Sequence, residues 1–341
     1  MAVSYRKERL DRGIKARSDD IFVISSYGET LYLVLPRIIP IVGILFIPLL
    51  KETVGIYWEK VLVITCIISL LSLSWDLLMS VGVISLGQAF FFGTGAYFAG
   101  FLNKSFNWSP LFTIPIATLG GGAFCAILLL PVLRLRGIYF SLITLALPIL
   151  FMRVIEAGKI LGGEEGIVAL TPFSSIWIES YLPTVALLVC LFGFRRLINT
   201  DYGIVLRGIR DNDRAVMARG INIYWYKTQV VFIAGAVGAF AGAFLTHYYQ
   251  FAGTSALGLD YSILPLTCAI VGGSGTFAGA VLGTFILVPL AEILRAFGTL
   301  RVVFYSLILL AFVVALPEGI FEYIQRKYHQ YERVVSVEVG K

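Results

Sequence analysis

Long apolar stretches alternate with short polar ones along nearly the whole chain. A helix needs about 20 apolar residues to cross a bilayer, and residues 31–50, 61–79, 111–133, 138–155, 182–194 and 228–251 read as spans on that basis. The first carries Pro36, Arg37, Pro40 and Pro48, so it is irregular, with Arg37 able to snorkel toward a headgroup layer. The tight turn between 133 and 138 contains Arg134 and Arg136. Trp177 and Tyr181, at the end of the polar segment 156–181, suit an interfacial belt.

Two apolar segments depart from this pattern. Residues 80–102 read SVGVISLGQAFFFGTGAYFAGFL, and residues 263–295 contain VGGSGTFAGAVLG. Each has a Gly/Ser break followed by a helix with spaced glycines, which reads as a weak internal repeat. Glycine allows close helix packing. Paired broken helices are also typical of translocation routes, because freed backbone groups can line a cavity. The candidate path residues are therefore Ser85, Gly87, Gln88, Gly272, Gly273, Ser274 and Thr276. The two breaks are expected to face one another near the membrane midplane. Their neutral side chains suit a zwitterionic or uncharged solute better than an ion, or else serve as glue between helices.

The longest polar interruption is 195–227, RRLINTDYGIVLRGIRDNDRAVMARGINIYWYK. Within it Asp211 or Asn212 can cap a helix that continues to Arg219 and is closed by Gly220 in a left-handed conformation. Ile204, Leu206, Ile209, Val216 and Met217 are too apolar for a solvated linker. One reading is a loop whose arginines only fix topology; the other is a docking element that carries force into the spans.

Composition settles the broad class. Of 341 residues, 58% are hydrophobic and 14% charged, with a mean hydropathy of +0.86. A soluble protein so composed would expose too much apolar surface. The net charge of +6 comes from basic residues near span ends, as the positive-inside rule expects, and is not a nucleic-acid signature. Cys66, Cys125, Cys190 and Cys268 lie in apolar stretches without metal-ligand spacing, and His247 and His329 stand alone. No metal or cofactor is expected. There is no G-x-x-x-x-G-K-[ST] phosphate loop and no hydrolytic triad, so the chain reads as a non-enzyme. Asp76 and Glu156 are the acids nearest membrane depth. Each is either a functional group or an acid at a helix end meeting backbone amides or an arginine.

The expected fold is all-α, a polytopic membrane helix bundle with about ten membrane segments, including broken or re-entrant helices. An N-terminal segment (1–30) and a basic C-terminal tail (325–341) flank a transmembrane domain (31–324). A single crossing of each broken segment would place the basic tail outside, so 263–295 is expected to make two short crossings. Both termini are then cytoplasmic.

Three stretches resemble the permease subunits of branched-chain amino acid ABC importers, of the LivM type. The first is LSWDLLMSVGVISLGQAFFFGTGAYFAG (73–100). The second is LRLRGIYFSLITLA (133–146), followed by GGEEGI (162–167). The third is 202–222, similar to the family's R-A-I-R-E-[DN]-E-x-A-A-x-x-x-G-I-N segment and followed by VGGSGTFAGAVLG (271–283). Asp76 stands where the family more often has Asn, and Val216, Met217 and Ala218 replace its usual Glu-Ala run. The resemblance implies an inner-membrane permease working by alternating access. Its partners would be a second homologous permease, two cytoplasmic ATPase subunits, an extracytoplasmic substrate-binding protein and the surrounding lipid. ATPase coupling would fall to Arg207, Arg210, Asp211, Asn212, Asp213, Arg214, Arg219 and Gly220. Leucine-like amino acids are the family's default substrate. A stand-alone carrier or channel for a small neutral solute, such as urea or a short amide, is the competing reading.

Overall fold

The computed structural model describes residues 3–9, 55–135, 137–294, 318–329 and 332–338, with Gly43 and scattered positions from 298 to 314. The expected span at 31–50, apart from Gly43, and most of segment 1–30 lie outside the described residues. Ten helices are described: α1 (Ile56–Met79), α2 (Gln88–Phe106), α3 (Pro110–Leu129), α4 (Ile138–Gly158), α5 (Ile176–Ile198), α6 (Asp201–Ala218), α7 (Ile223–Tyr249), α8 (Asp260–Gly272), α9 (Ala278–Ile293) and α10 (Gly319–His329). Among the described residues, six helical stretches are long and apolar enough to cross a membrane: α1, α3, α4, α5, α7 and Thr254–Gly272, which includes α8. The chain is an all-α, multi-pass membrane bundle.

α1 runs through the middle, with Ile67, Leu71, Leu73 and Leu77 fully buried. Its hydroxyls bond back along the helix, Ser69 to the Thr65 carbonyl and Ser72 to the Ile68 carbonyl. Ser72 also reaches the Pro265 carbonyl of α8, and Thr284 of α9 donates to Ser72. Such bonds contribute roughly 0.6 kcal/mol each. α2, α3 and α7 pack with their backbones almost touching, since a Cβ on Gly95 would run into Ala239 and one on Gly242 into Phe92. Close packing is thus what most glycines of the first broken segment provide.

α6 links the end of α5 to the start of α7, so those ends define a basic end of the bundle, carrying Arg195, Arg196, Arg207, Arg210, Arg214 and Arg219. At the opposite end, Ser180 of α5 donates to Glu59 of α1 at 2.6 Å, and Tyr57 donates to Glu292 of α9 at 2.7 Å. Here too β2 (Ile167–Val168) pairs antiparallel with β3 (Phe251–Ala252). A buried clasp holds the loop beside them. His247 Nδ1 donates to the Thr171 carbonyl, Thr113 donates to His247 Nε2, and Asn103 both donates to and accepts from Thr171. Because a carbonyl can only accept, this arrangement fixes the imidazole tautomer.

The span read as 182–194 extends at both ends to make α5. Ser175 caps its start, and the polar Ser180 within the first turns is satisfied by Glu59 and the Ile176 carbonyl. Segment 263–295 forms two helices of 13 and 16 residues, α8 and α9, folded into a hairpin. Near the chain ends β1 (Val3–Arg9) pairs antiparallel with β4 (Glu332–Glu338), Val3 opposite Glu338. α10 begins at the basic end, where a Cβ on Gly319 would run into Gly273.

Candidate functional site

Both breaks approach α6 at the basic end, the first at Gly82 and the second at Gly275. The first follows α1. Val83 N–H donates to the Leu78 carbonyl and Gly82 N–H to the Met79 carbonyl, with Gly82 at φ +75, which is a Schellman closure. The irregular backbone beyond is then satisfied by side chains from three helices. Trp75 Nε1 donates to the Ser85 carbonyl at 2.8 Å, and Ser141 donates to the Ile84 carbonyl at 2.7 Å. Leu86 N–H donates to Thr144 and Ala89 N–H to Ser262. Apolar surroundings demand such partners. They occupy the Ile84 and Ser85 carbonyls and the Leu86 and Ala89 amides.

The second break, residues 273–277, is held by Asp76. This carboxylate is fully buried and accepts from Gly275 N–H with one oxygen and from Phe277 N–H, at 2.8 Å, with the other. Phe277 sits at φ +52, a conformation costly for a bulky side chain, and the bond to Asp76 offsets that strain. Thr276 closes the turn locally, donating to the Gly273 carbonyl at 2.8 Å and accepting from Gly279 N–H at 3.0 Å. Asp76 therefore meets backbone amides at a helix end. Glu156 pairs with Arg153 at 2.9 Å near the end of α4.

The expected path residues divide between the two breaks. Ser85 is buried and its hydroxyl accepts from Gly87 N–H. Gly87 lies against the Thr144 backbone, where a Cβ would collide. Gln88 accepts from Ser74 at 3.1 Å, while its buried Nε2 has no hydrogen-bond partner. Gly272 packs against Gly279, Gly273 abuts the start of α10, Ser274 is exposed and Thr276 is half-buried.

α6 is kinked at Asn212, which has φ −156 and ψ 95; its side chain accepts from Ala215 N–H at 3.2 Å and so caps the short final turns. Gly220, at φ +80, follows the helix end. Leu206 and Ile209 are buried in the bundle and root the helix there. Arg207 turns back and donates to the Ile198 carbonyl of α5. Asp211, Arg214 and Arg219 are exposed and Asp213 is half-buried. The Tyr202 ring lies tilted against Tyr226 with centroids 5.3 Å apart; burial, then the neighbouring phenol, pushes its hydroxyl up to about 12.

A cavity of about 460 Å³ opens beneath α6, lined by Val81–Ile84 of the first break, the α3–α4 turn (Leu133, Leu135, Gly137, Phe140), Ile209–Arg214 and Lys227. Its mixed charges and apolar walls fall within the usual size range of ligand pockets. Among the described residues no group of His, Cys, Asp and Glu could hold a metal ion. Sequence reasoning singled out Asp76 without giving it a task, and it did not weigh Thr144, Ser141 or Ser262. A lone carboxylate in an apolar helix signals the first; nothing local signals the other three.

The chain is similar to the high-affinity branched-chain amino acid transport system permease protein LivM of Escherichia coli (strain K12). The two are 25% identical over 270 residues, covering 70% of this chain and 64% of that protein. A probable branched-chain amino acid transport permease protein LivM of Methanocaldococcus jannaschii is 29% identical over 182 residues, covering 51% of this chain and 52% of the relative. The chain thus spans less than two thirds of either relative's length. No solved structure matches it. Residues 57–316, from the start of α1 past α9, match the family described as branched-chain amino acid transport system / permease component, and the chain belongs to that family.

Proposed function

We propose that this chain is the permease subunit of an ABC importer that moves branched-chain amino acids, or a related small polar solute, across the inner membrane. The basic end faces the cytoplasm, in line with the positive-inside rule, and both chain ends lie there. Partner ATPases dock on segment 195–227, chiefly through Asp211, Asn212, Asp213, Arg214, Arg219 and Gly220. A second permease and an extracytoplasmic binding protein complete the assembly. Alternating access follows when α6 moves and the two breaks reorient with it.

The observation that carries this reading is the convergence of both broken segments on one short, kinked, basic helix that lies outside the spans yet is rooted among them. A helix so placed transmits a push from outside the membrane to the parts of the bundle least constrained by regular packing. The neutral groups at the breaks and the absence of any motif for holding nucleotide fit a substrate without net charge and a motor supplied by another chain. The route passes Ser85, Gly87, Gln88, Gly272, Gly273, Ser274 and Thr276, with the unpartnered Gln88 amide and the exposed Ser274 as the polar groups available to a solute.

Reconstitution in vesicles with ATPase and substrate-binding subunits of the same transporter family tests the reading. Uptake of labelled leucine should require ATP and the binding protein. Uptake by this chain alone, driven by an ion gradient or by the solute's own gradient, would overturn it.

A further inference from the structure

The contacts of Arg210 set it apart from the other arginines of α6. Its Cα lies against the first break, where a Cβ on Gly82 would come within 3.1 Å, and its Nη1 lies against the second, where a Cβ on Gly275 would come within 3.6 Å. Gly275 in turn donates to Asp76, whose other oxygen holds Phe277. Arg210 is also the cation whose charge reaches the Asp76 carboxylate. One residue of α6 thus touches both broken segments and faces the single carboxylate that shapes the second.

We propose that Arg210 acts inward, and that Arg210 and Asp76 together form the link through which movement of α6 opens or closes the α8–α9 hinge. Asp76 is then a positioning residue. A carboxylate that accepts two amide bonds and faces a cation is well compensated; withdrawing the cation leaves a buried charge held by two amides alone. Displacing α6 therefore changes what the hinge must do to keep Asp76 satisfied. A purely structural Asp76 would shape the hinge equally in every state, and Arg210 would be free to serve as a docking cation. The inference rests on the importer reading, because it needs an external motor to move α6.

The test uses the assembled permease–ATPase complex with a spin label at Ser274→Cys, beside the hinge, and Cys190 replaced by Ala. With the original Asp76 and Arg210, a non-hydrolysable ATP analogue should change the label's mobility. Asp76→Asn keeps the size and one acceptor, and should abolish that change while the ATPase subunits still co-purify. Leucine taken up per ATP hydrolysed, measured in unlabelled complexes that keep Ser274 and Cys190, should fall by about fivefold or more. Arg210→Gln should do the same, Arg210→Lys should restore part of the response, and the double variant should be no worse than either single one. A normal label response and uptake ratio in Asp76→Asn would overturn the link, as would additive losses. Loss of the ATPase subunits from Arg210→Gln would return Arg210 to docking; that variant, exposed at the surface, keeps the test open if Asp76→Asn fails to insert. Failure of the parent complex to couple uptake to ATP would instead count against the importer reading itself.

Discussion

Alanine at two glycines should have opposite effects on stability. Gly283 of α9 faces α8, and a Cβ there would run into the Cys268 carbonyl and come within 2.9 Å of the Gly272 backbone. Gly193 of α5 has nothing within 4 Å of the same ideal position. Replacing glycine by alanine inside a helix is worth about 1 kcal/mol in propensity, which is the whole expected gain at Gly193. At Gly283 overpacking costs about 1–3 kcal/mol. The clashing atoms are backbone on both sides and cannot rotate away, so the upper end applies and the net loss is about 2 kcal/mol after the propensity gain. The two variants should therefore differ by about 3 kcal/mol, or roughly 6–12 °C in midpoint at 2–4 °C per kcal/mol for chains of 150–250 residues. Thermal unfolding in detergent, followed by tryptophan fluorescence, measures this. A Gly283→Ala protein melting at or above the parent, or an equal drop in Gly193→Ala, would refute the claim that backbone contact closes the α8–α9 hairpin.

Three further outcomes are expected. His247→Ala leaves the Thr171 carbonyl without its imidazole donor, while Thr113 keeps the Pro110 carbonyl, costing about 1–3 kcal/mol for the one group left unsatisfied; faster proteolysis in loop 159–175 reports it, and unchanged cleavage counts against the clasp. Asn212→Ala removes a cap worth about 1 kcal/mol, so amide exchange at Ala215 should quicken while exchange within α5 stays the same. Because burial raises the folded Tyr202 hydroxyl to about 12, its stabilising share is complete below the unfolded value near 10 and is lost as pH rises toward 12. Tyr202→Phe should flatten the melting-temperature profile across that window, and an identical profile would reject the assignment.

The bundle was legible in the sequence because lipid imposes a coarse rule: apolar runs of sufficient length become helices, as α1, α3, α4 and α7 did to within a few residues. α5 was read too short, since Glu179 and Ser180 look like loop residues until Glu59, more than a hundred positions earlier, is seen to satisfy Ser180. The Asn212 cap and the Gly220 turn were legible for the opposite reason, being local. The breaks were visible as glycine clusters, but not their partners Trp75, Thr144 and Ser262, which lie on three separate helices. Nor could spacing alone show that Arg207 turns back to α5 while Arg210 meets Gly82 and Gly275.

The hydroxyl ladder of α1 bears on how the protein is made. α1 is synthesised long before α7, α8 and α9, which later enclose it, so it must first wait in lipid. Thr65, Ser69 and Ser72 can wait, because each is already bonded to a carbonyl four residues back on its own helix. Asp76 cannot be satisfied in that way: its partners Gly275 and Phe277 arrive about 200 residues later. Its place near the end of α1 keeps it within reach of headgroups and water until they come. The carboxylate at this end of the helix thus sits where an unfinished chain can tolerate it, and formation of the hinge becomes a late step of assembly.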